Sequence, residues 1–155
     1  MAGVAFSADR RYLTHLDSNL VVVRDANTLG RQIVVGPMTN LWVRDLALGQ
    51  DESLVAASGD GSVVVFDLTT GRERAVLRGH QGQVNQVAVS PDGTTVATAG
   101  EDGSVRLWNI ATGHERLRLY GHTGPVSGVA FSRLTRSLTE QERRDYFAEK
   151  SCPDR

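Results

Sequence analysis

Four residues of this chain have side chains that do chemistry in combination: His80, Thr98, Asp102 and Trp108. A His-Thr-Asp set invites a catalytic reading, because histidine exchanges protons near neutral pH and an aspartate can orient it. Histidines at 15, 80, 114 and 122 raise the question of a metal, but their spacings match no zinc pattern. Asp92-Gly93 and Asp102-Gly103 are reminiscent of calcium loops. No twelve-residue run carries the alternating oxygen ligands such a loop needs, so turn geometry accounts for them better. Phosphate-loop, nucleophile-elbow and H-E-x-x-H patterns are all missing from the sequence. Arginines at 72, 74, 78, 116 and 118 offer a phosphate-binding strip or a solvated outer edge, and the second is the simpler account. No catalytic residue, cofactor site or metal site is expected.

The elements that position these residues are small and numerous. The chain has 155 residues, 40% of them apolar, and sixteen glycines bring the wider apolar count to about half. This is globular composition in the size range of one domain. Lys+Arg 17 against Asp+Glu 18 leaves a net charge of −1, which argues against a broad nucleic-acid surface. Apolar runs such as 63–66 are far too short for a membrane span. The single cysteine, Cys152, cannot form an internal disulfide. The opening MAGVAFSADRR lacks a basic stretch followed by an apolar one, so a cytoplasmic location is expected.

A repeat near 42 residues organises the chain. Gly121-His122 follows Gly79-His80 by 42 residues, and Asp102-Gly103-Ser104-Val105 follows Asp60-Gly61-Ser62-Val63 by the same distance. Trp108-Asn109, Phe66-Asp67 and Arg24-Asp25 keep that spacing, as do Val129-Ala130-Phe131-Ser132 and Val87-Ala88-Val89-Ser90. Val4-Ala5-Phe6-Ser7 falls in the same phase. Within a repeat the signals are for strands. Val84, then Val87 and Val89, shift phase as a bulged strand does. Ser90-Pro91-Asp92-Gly93 is a turn. Val105 and Leu107 alternate with Arg106 and Trp108, and residues 115–119 alternate charge with leucine as a half-wet edge strand should. Four short antiparallel strands per repeat describe a propeller blade.

On these residues the chain resembles the WD40-repeat family. The family's markers are a Gly-His pair before the first strand and Trp-Asp closing the third. Here they are Gly79-His80, Gly121-His122, Trp108-Asn109 and Phe66-Asp67, over roughly residues 4 to 132. The resemblance implies that His80, Thr98, Asp102 and Trp108 form a buried hydrogen-bonded chain. The inventory suits this, since the indole only donates, Thr and His do both, and the carboxylate only accepts. Blade two departs from the pattern with Gly36-Pro37 and Phe66, and blade one with Arg24, so packing alone must hold them. The resemblance also places partner-binding positions along one rim: Trp42 and Arg44, Gln83 and Asn85, Pro125 and Ser127, with Glu101.

The expected fold is therefore all-β, an incomplete WD40 propeller of three four-stranded antiparallel blades with a lone inner strand and a short C-terminal helix. Strands are expected at 3–6, 11–15, 20–24 and 31–35, at 42–48, 54–58, 63–67 and 73–77, and at 83–89, 94–98, 104–108 and 115–119. A fourth blade starts at 125–131 and stops. The partial propeller occupies 1–132 (blades 3–35, 42–77 and 83–119, and a partial one at 125–132), with a helical tail at 133–155. Thr139 can cap that helix, with Glu142 completing a capping box. The tail resembles those of some actinobacterial WD40-repeat proteins. Three blades cannot close a ring, so each flank exposes a face that normally packs on a neighbour. The expected function is a non-catalytic interaction scaffold for protein or peptide partners, self-associating through its open faces. The alternatives are a regulatory end-piece of a larger kinase- or NTPase-linked protein and a self-associating remnant.

Overall fold

The computed structural model describes residues 4–7, 10–17, 20–28, 30, 32–35, 43–49, 53–58 and 60–131. Blade one comprises β1 (Val4–Phe6), β2 (Tyr12–Asp17), β3 (Leu20–Asp25) and β4 (Gln32–Val35). Blade two comprises β5 (Val43–Leu48), β6 (Ser53–Ser58), β7 (Ser62–Asp67) and β8 (Arg72–Arg78). Blade three comprises β9 (Val84–Val89), β10 (Thr95–Gly100), β11 (Val105–Asn109) and β12 (Glu115–Leu119). Each blade is a separate antiparallel meander, and β5 lies against both β1 and β9, so the first strands form the inner side. The described residues are all-β.

Local chemistry sets the turns. Asp92 Oδ1 accepts from the Thr94 N–H at 3.0 Å and from the Ser90 hydroxyl, while Ser90 Oγ accepts from the Thr95 N–H at 3.0 Å. Gly93 completes the hairpin at φ 70°. The same hairpin closes blade one, where the Tyr12 N–H donates to Ser7 Oγ at 2.9 Å. There Arg10 takes the glycine's place, at φ 59°. After each third strand an acceptor two to three residues ahead of the bend caps the turn. Asp25 accepts from the Thr28 N–H at 2.9 Å, Asp67 from Thr70 at 2.8 Å, and Asn109 from Thr112 at 3.0 Å. The position needs an oxygen, not a charge, which is why Asn109 serves where the family has aspartate.

Two cores join the three blades. β7 is buried on both faces, and its alternation divides it between them. Val64, Phe66 and Leu68 pack with Tyr12, Val21, Val23, Leu46 and Leu48 on the blade-one side. Val63 and Val65 pack with Leu77, Val84, Val87, Val96, Trp108 and Ile110 on the blade-three side. Fully burying one such side chain contributes about 1.5–3 kcal/mol, against about 0.5–1.5 kcal/mol net for a hydrogen bond. Blade two therefore tolerates Phe66 without a network.

One expectation needs revising. Residues 125–131 are described but form no strand. A strand is defined by its ladder, and no second strand of a fourth blade lies beside them among the described residues. The expected helix within 133–155 lies outside the described residues.

Candidate functional site

Blade three brings His80, Thr98, Asp102 and Trp108 together. His80 lies in the β8–β9 connection, Thr98 is central in β10, Asp102 sits in the β10–β11 turn and Trp108 lies near the end of β11. The Trp108 indole N–H donates to Thr98 Oγ1 at 3.0 Å. His80 Nδ1 lies 3.0 Å from Asp102 Oδ1, and its Nε2 lies 2.6 Å from Thr98 Oγ1. An ionised Asp102 can only accept, so Nδ1 carries the proton and the Thr98 hydroxyl donates to Nε2. Every member is satisfied. The His80 side chain is 1% exposed, so no substrate reaches it.

The carboxylate of Asp102 is the hub. It also accepts from the Gln81 N–H at 3.1 Å, the Ser104 N–H at 3.1 Å and the Ser104 hydroxyl at 2.7 Å. Burial pushes its pKa upward, but the hydrogen bonds from Ser104, Gln81 and His80 together outweigh this and hold it well below the ordinary value. Burial lowers the pKa of His80, and the neighbouring Asp102 opposes that only in part.

The sequence pattern did not reveal how far the network extends. Arg106 is buried, and its Nη2 donates to Asp102 Oδ2 at 3.3 Å and its Nη1 to Glu115 Oε2 at 2.8 Å. Arg118 grips the other side of Glu115, with Nε to Oε1 at 3.0 Å, and reaches the Tyr120 hydroxyl at 2.9 Å. The chain of polar groups thus runs from the core indole to the outer edge. The one sequence signal was Arg106 itself, which falls where blades one and two carry Val22 and Val64.

The rim positions divide in two. Arg44 and Asn85 are the residues skipped by the ladders of β5 and β9, so both strands bulge there. Arg44 is exposed, whereas Asn85 spends its amide internally, donating to Val126 O at 3.1 Å. Gln83 and Glu101 are joined through the Gln83 N–H and Glu101 Oε2 at 3.3 Å. Gln83 Oε1 is buried and has no partner among the described residues. Glu101, Pro125 and Ser127 are exposed. Trp42 lies outside the described residues. His122, at a second Gly-His position, is exposed. The described residues contain no cluster of three or more acidic, histidine or cysteine side chains placed to hold a metal.

Comparison with known proteins agrees with this geometry. The family model "WD domain, G-beta repeat" matches residues 31–67 and 71–109. A serine-threonine kinase receptor-associated protein of Dictyostelium discoideum is 36% identical over 99 residues, 63% of this chain and 33% of that protein. The small ribosomal subunit protein RACK1y of Oryza sativa subsp. japonica is 50% identical over 46 residues, 30% of this chain and 14% of that protein. The chain thus spans a third or less of these relatives. The solved structure of U3-55K superimposes with a TM-score of 0.71 at 17% identity, covering 82% of this chain and 40% of that one. A chain of the mitotic checkpoint complex gives 0.64 at 22% identity, covering 80% and 38%.

Proposed function

This chain belongs to the WD40-repeat family, and from that premise we infer that it is a non-catalytic interaction module. It binds protein or peptide partners through the blade rim and the open blade faces, a second copy of itself among them. One observation carries the reading. The only His-Asp-Thr constellation of blade three is consumed by internal hydrogen bonds and buried, while Arg44, Glu101, Pro125 and Ser127, at positions that the family resemblance assigns to one rim, are exposed. Trp42 joins this rim by its place in the repeat, and arginine and tryptophan are enriched among interface hot spots.

The test compares partners held by the wild-type chain with those held by an Arg44→Glu/Glu101→Arg variant and by Trp42→Ala. The rim variants should lose bound proteins at unchanged melting temperature. Retention of every partner by all three chains would show that the rim is not the binding surface.

A further inference from the structure

The inner strands of blades two and three carry a ladder on one edge only. β5 pairs with β6 and β9 with β10, so alternate N–H groups of β9 point away from its ladder. A buried N–H needs an acceptor, and Val87 is buried. Its acceptor comes from the neighbouring blade: the Val87 N–H donates to Asp45 Oδ2 at 3.0 Å. The Val129 N–H is met in the same way by Gln86 Oε1 of β9, at 2.7 Å.

The bulges explain how these acceptors reach across. In a regular strand, residues three apart point to opposite faces. Val43 and Leu46 nonetheless pack on one core, and Val84 and Val87 on the other. The bulges at Arg44 and Asn85 allow this by adding one residue to the strand. Two residues then lie between each buried pair. The ladder skips the first: Arg44, which is exposed, and Asn85, which donates to Val126 O at 3.1 Å. The second rejoins the ladder and accepts from the next segment: Asp45 and Gln86. A carboxylate and an amide serve alike there, so the position needs an oxygen of suitable reach.

This geometry ties the latch to the rim. Within blade three the rim is held by its own bonds. The Glu101 N–H donates to Gln83 O at 2.9 Å, and the Gln83 N–H to Glu101 Oε2 at 3.3 Å. Arg44 belongs to blade two. The Asp45–Val87 bond joins the two blades one residue from Arg44 and two residues from Asn85.

We propose that Asp45 is a positioning residue of the rim: its carboxylate latches blade two to blade three and holds Arg44 at one distance from Glu101. A partner that touches both blades then meets a single spacing and loses less binding free energy to ordering the surface. This deepens the interaction-module reading and, for its consequence in binding, rests on it.

Two measurements on the full chain, without any partner, test the latch and the positioning in turn. The first is amide hydrogen exchange by NMR. In the wild-type chain the Val87 amide should be protected like the ladder amides of β10. Asp45→Ala should speed its exchange by about tenfold or more, and Asp45→Asn, which keeps the oxygen, should restore protection. The second is the distance distribution between spin labels on Arg44→Cys and Glu101→Cys, in a Cys152→Ser background. It should be narrow with the native Asp45 and with Asp45→Asn, and broader or shifted with Asp45→Ala. Asp45→Ser, whose oxygen is one bond short of Val87, takes the place of Asp45→Ala if that variant does not fold. A Val87 amide that exchanges freely in the wild type, or stays protected in the alanine or serine variant, overturns the latch. Faster exchange with an unchanged distance distribution overturns the positioning role. Loss or retention of bound proteins by the Arg44→Glu/Glu101→Arg variant is a separate result, so the binding reading can fail while the latch stands.

Discussion

Replacing Asp102 with alanine leaves five donor atoms without their acceptor: His80 Nδ1, the Gln81 and Ser104 amides, the Ser104 hydroxyl and Arg106 Nη2. A buried donor without a partner costs about 1–3 kcal/mol, and water reaches some of these, so the net loss should stay near that figure. The urea midpoint should fall with an unchanged slope. A midpoint equal to wild type would mean that the network contributes nothing. The same residues set a pH dependence. Both His80 and Asp102 have folded pKa values below their ordinary ones, so the unfolded chain binds their protons first, near pH 6.5 and near 3.9. Their contributions are complete above those values and are lost as pH falls. Stability should decline from about pH 7 downward through His80, and again below about pH 4 through Asp102. His80→Gln should flatten the upper decline and Asp102→Asn the lower one. An upper decline unchanged in His80→Gln would assign it elsewhere.

At the scale of the strand and the turn, the equivalence of the blades makes each one a control for the next. Arg10 holds φ 59° where Gly93 holds φ 70° in the same hairpin. A left-handed backbone costs a side-chain-bearing residue about 1–2 kcal/mol, and glycine gives back about 0.5–1 kcal/mol of that in chain entropy, so Arg10→Gly should gain about 1 kcal/mol and raise the melting temperature by about 2–4 °C. A fall would show that the arginine side chain matters more than its backbone. Asp45 offers a second control. Burial raises its pKa, despite hydrogen bonds from the Val87 and Leu46 amides. A raised folded pKa favours the folded chain at low pH, and that advantage is lost as pH rises. Gln86 does the same work with an uncharged amide oxygen. Asp45→Asn should therefore match or exceed wild-type stability at pH 7, while Asp45→Ala should lose about 1–3 kcal/mol by stranding the Val87 N–H. Legibility in the sequence follows the same division between local and distant. The Ser-x-Asp-Gly turn and the valine phase shift of β9 are local, so residues 84–93 could be read directly. The burial of Arg106 could not. It depends on Glu115, nine residues on, brought opposite Trp108 by a ladder that skips Arg116. Asn85 reads as a rim residue, yet its amide goes to Val126, 41 residues away. Residues 125–131 carry a strand's pattern without a partner strand among the described residues, and pattern alone does not make a ladder.

For the whole molecule, what matters is that its two flanks are different surfaces. Blade three presents Leu117 and Leu119 beside Leu107 and Val105, with which they pair. Blade one presents Phe6 and Leu13, paired across β1 and β2. If copies meet blade three to blade one, the interface is heterologous, and each chain uses one flank of each kind. Leu117→Lys/Leu119→Lys disables the first flank, at side chains exposed enough to leave the fold intact, and Leu13→Lys disables the second. Each variant alone should then run at half the mass of a wild-type pair. Mixed in equal amounts they retain one undamaged pair of flanks, so a one-to-one complex should form, held by a single contact and dissociating faster than wild type. An interface made of the same patch on both copies would behave otherwise. The variant with that patch damaged would stay single in any mixture, and the other would pair with itself. Light scattering on the two variants, apart and together, separates these geometries.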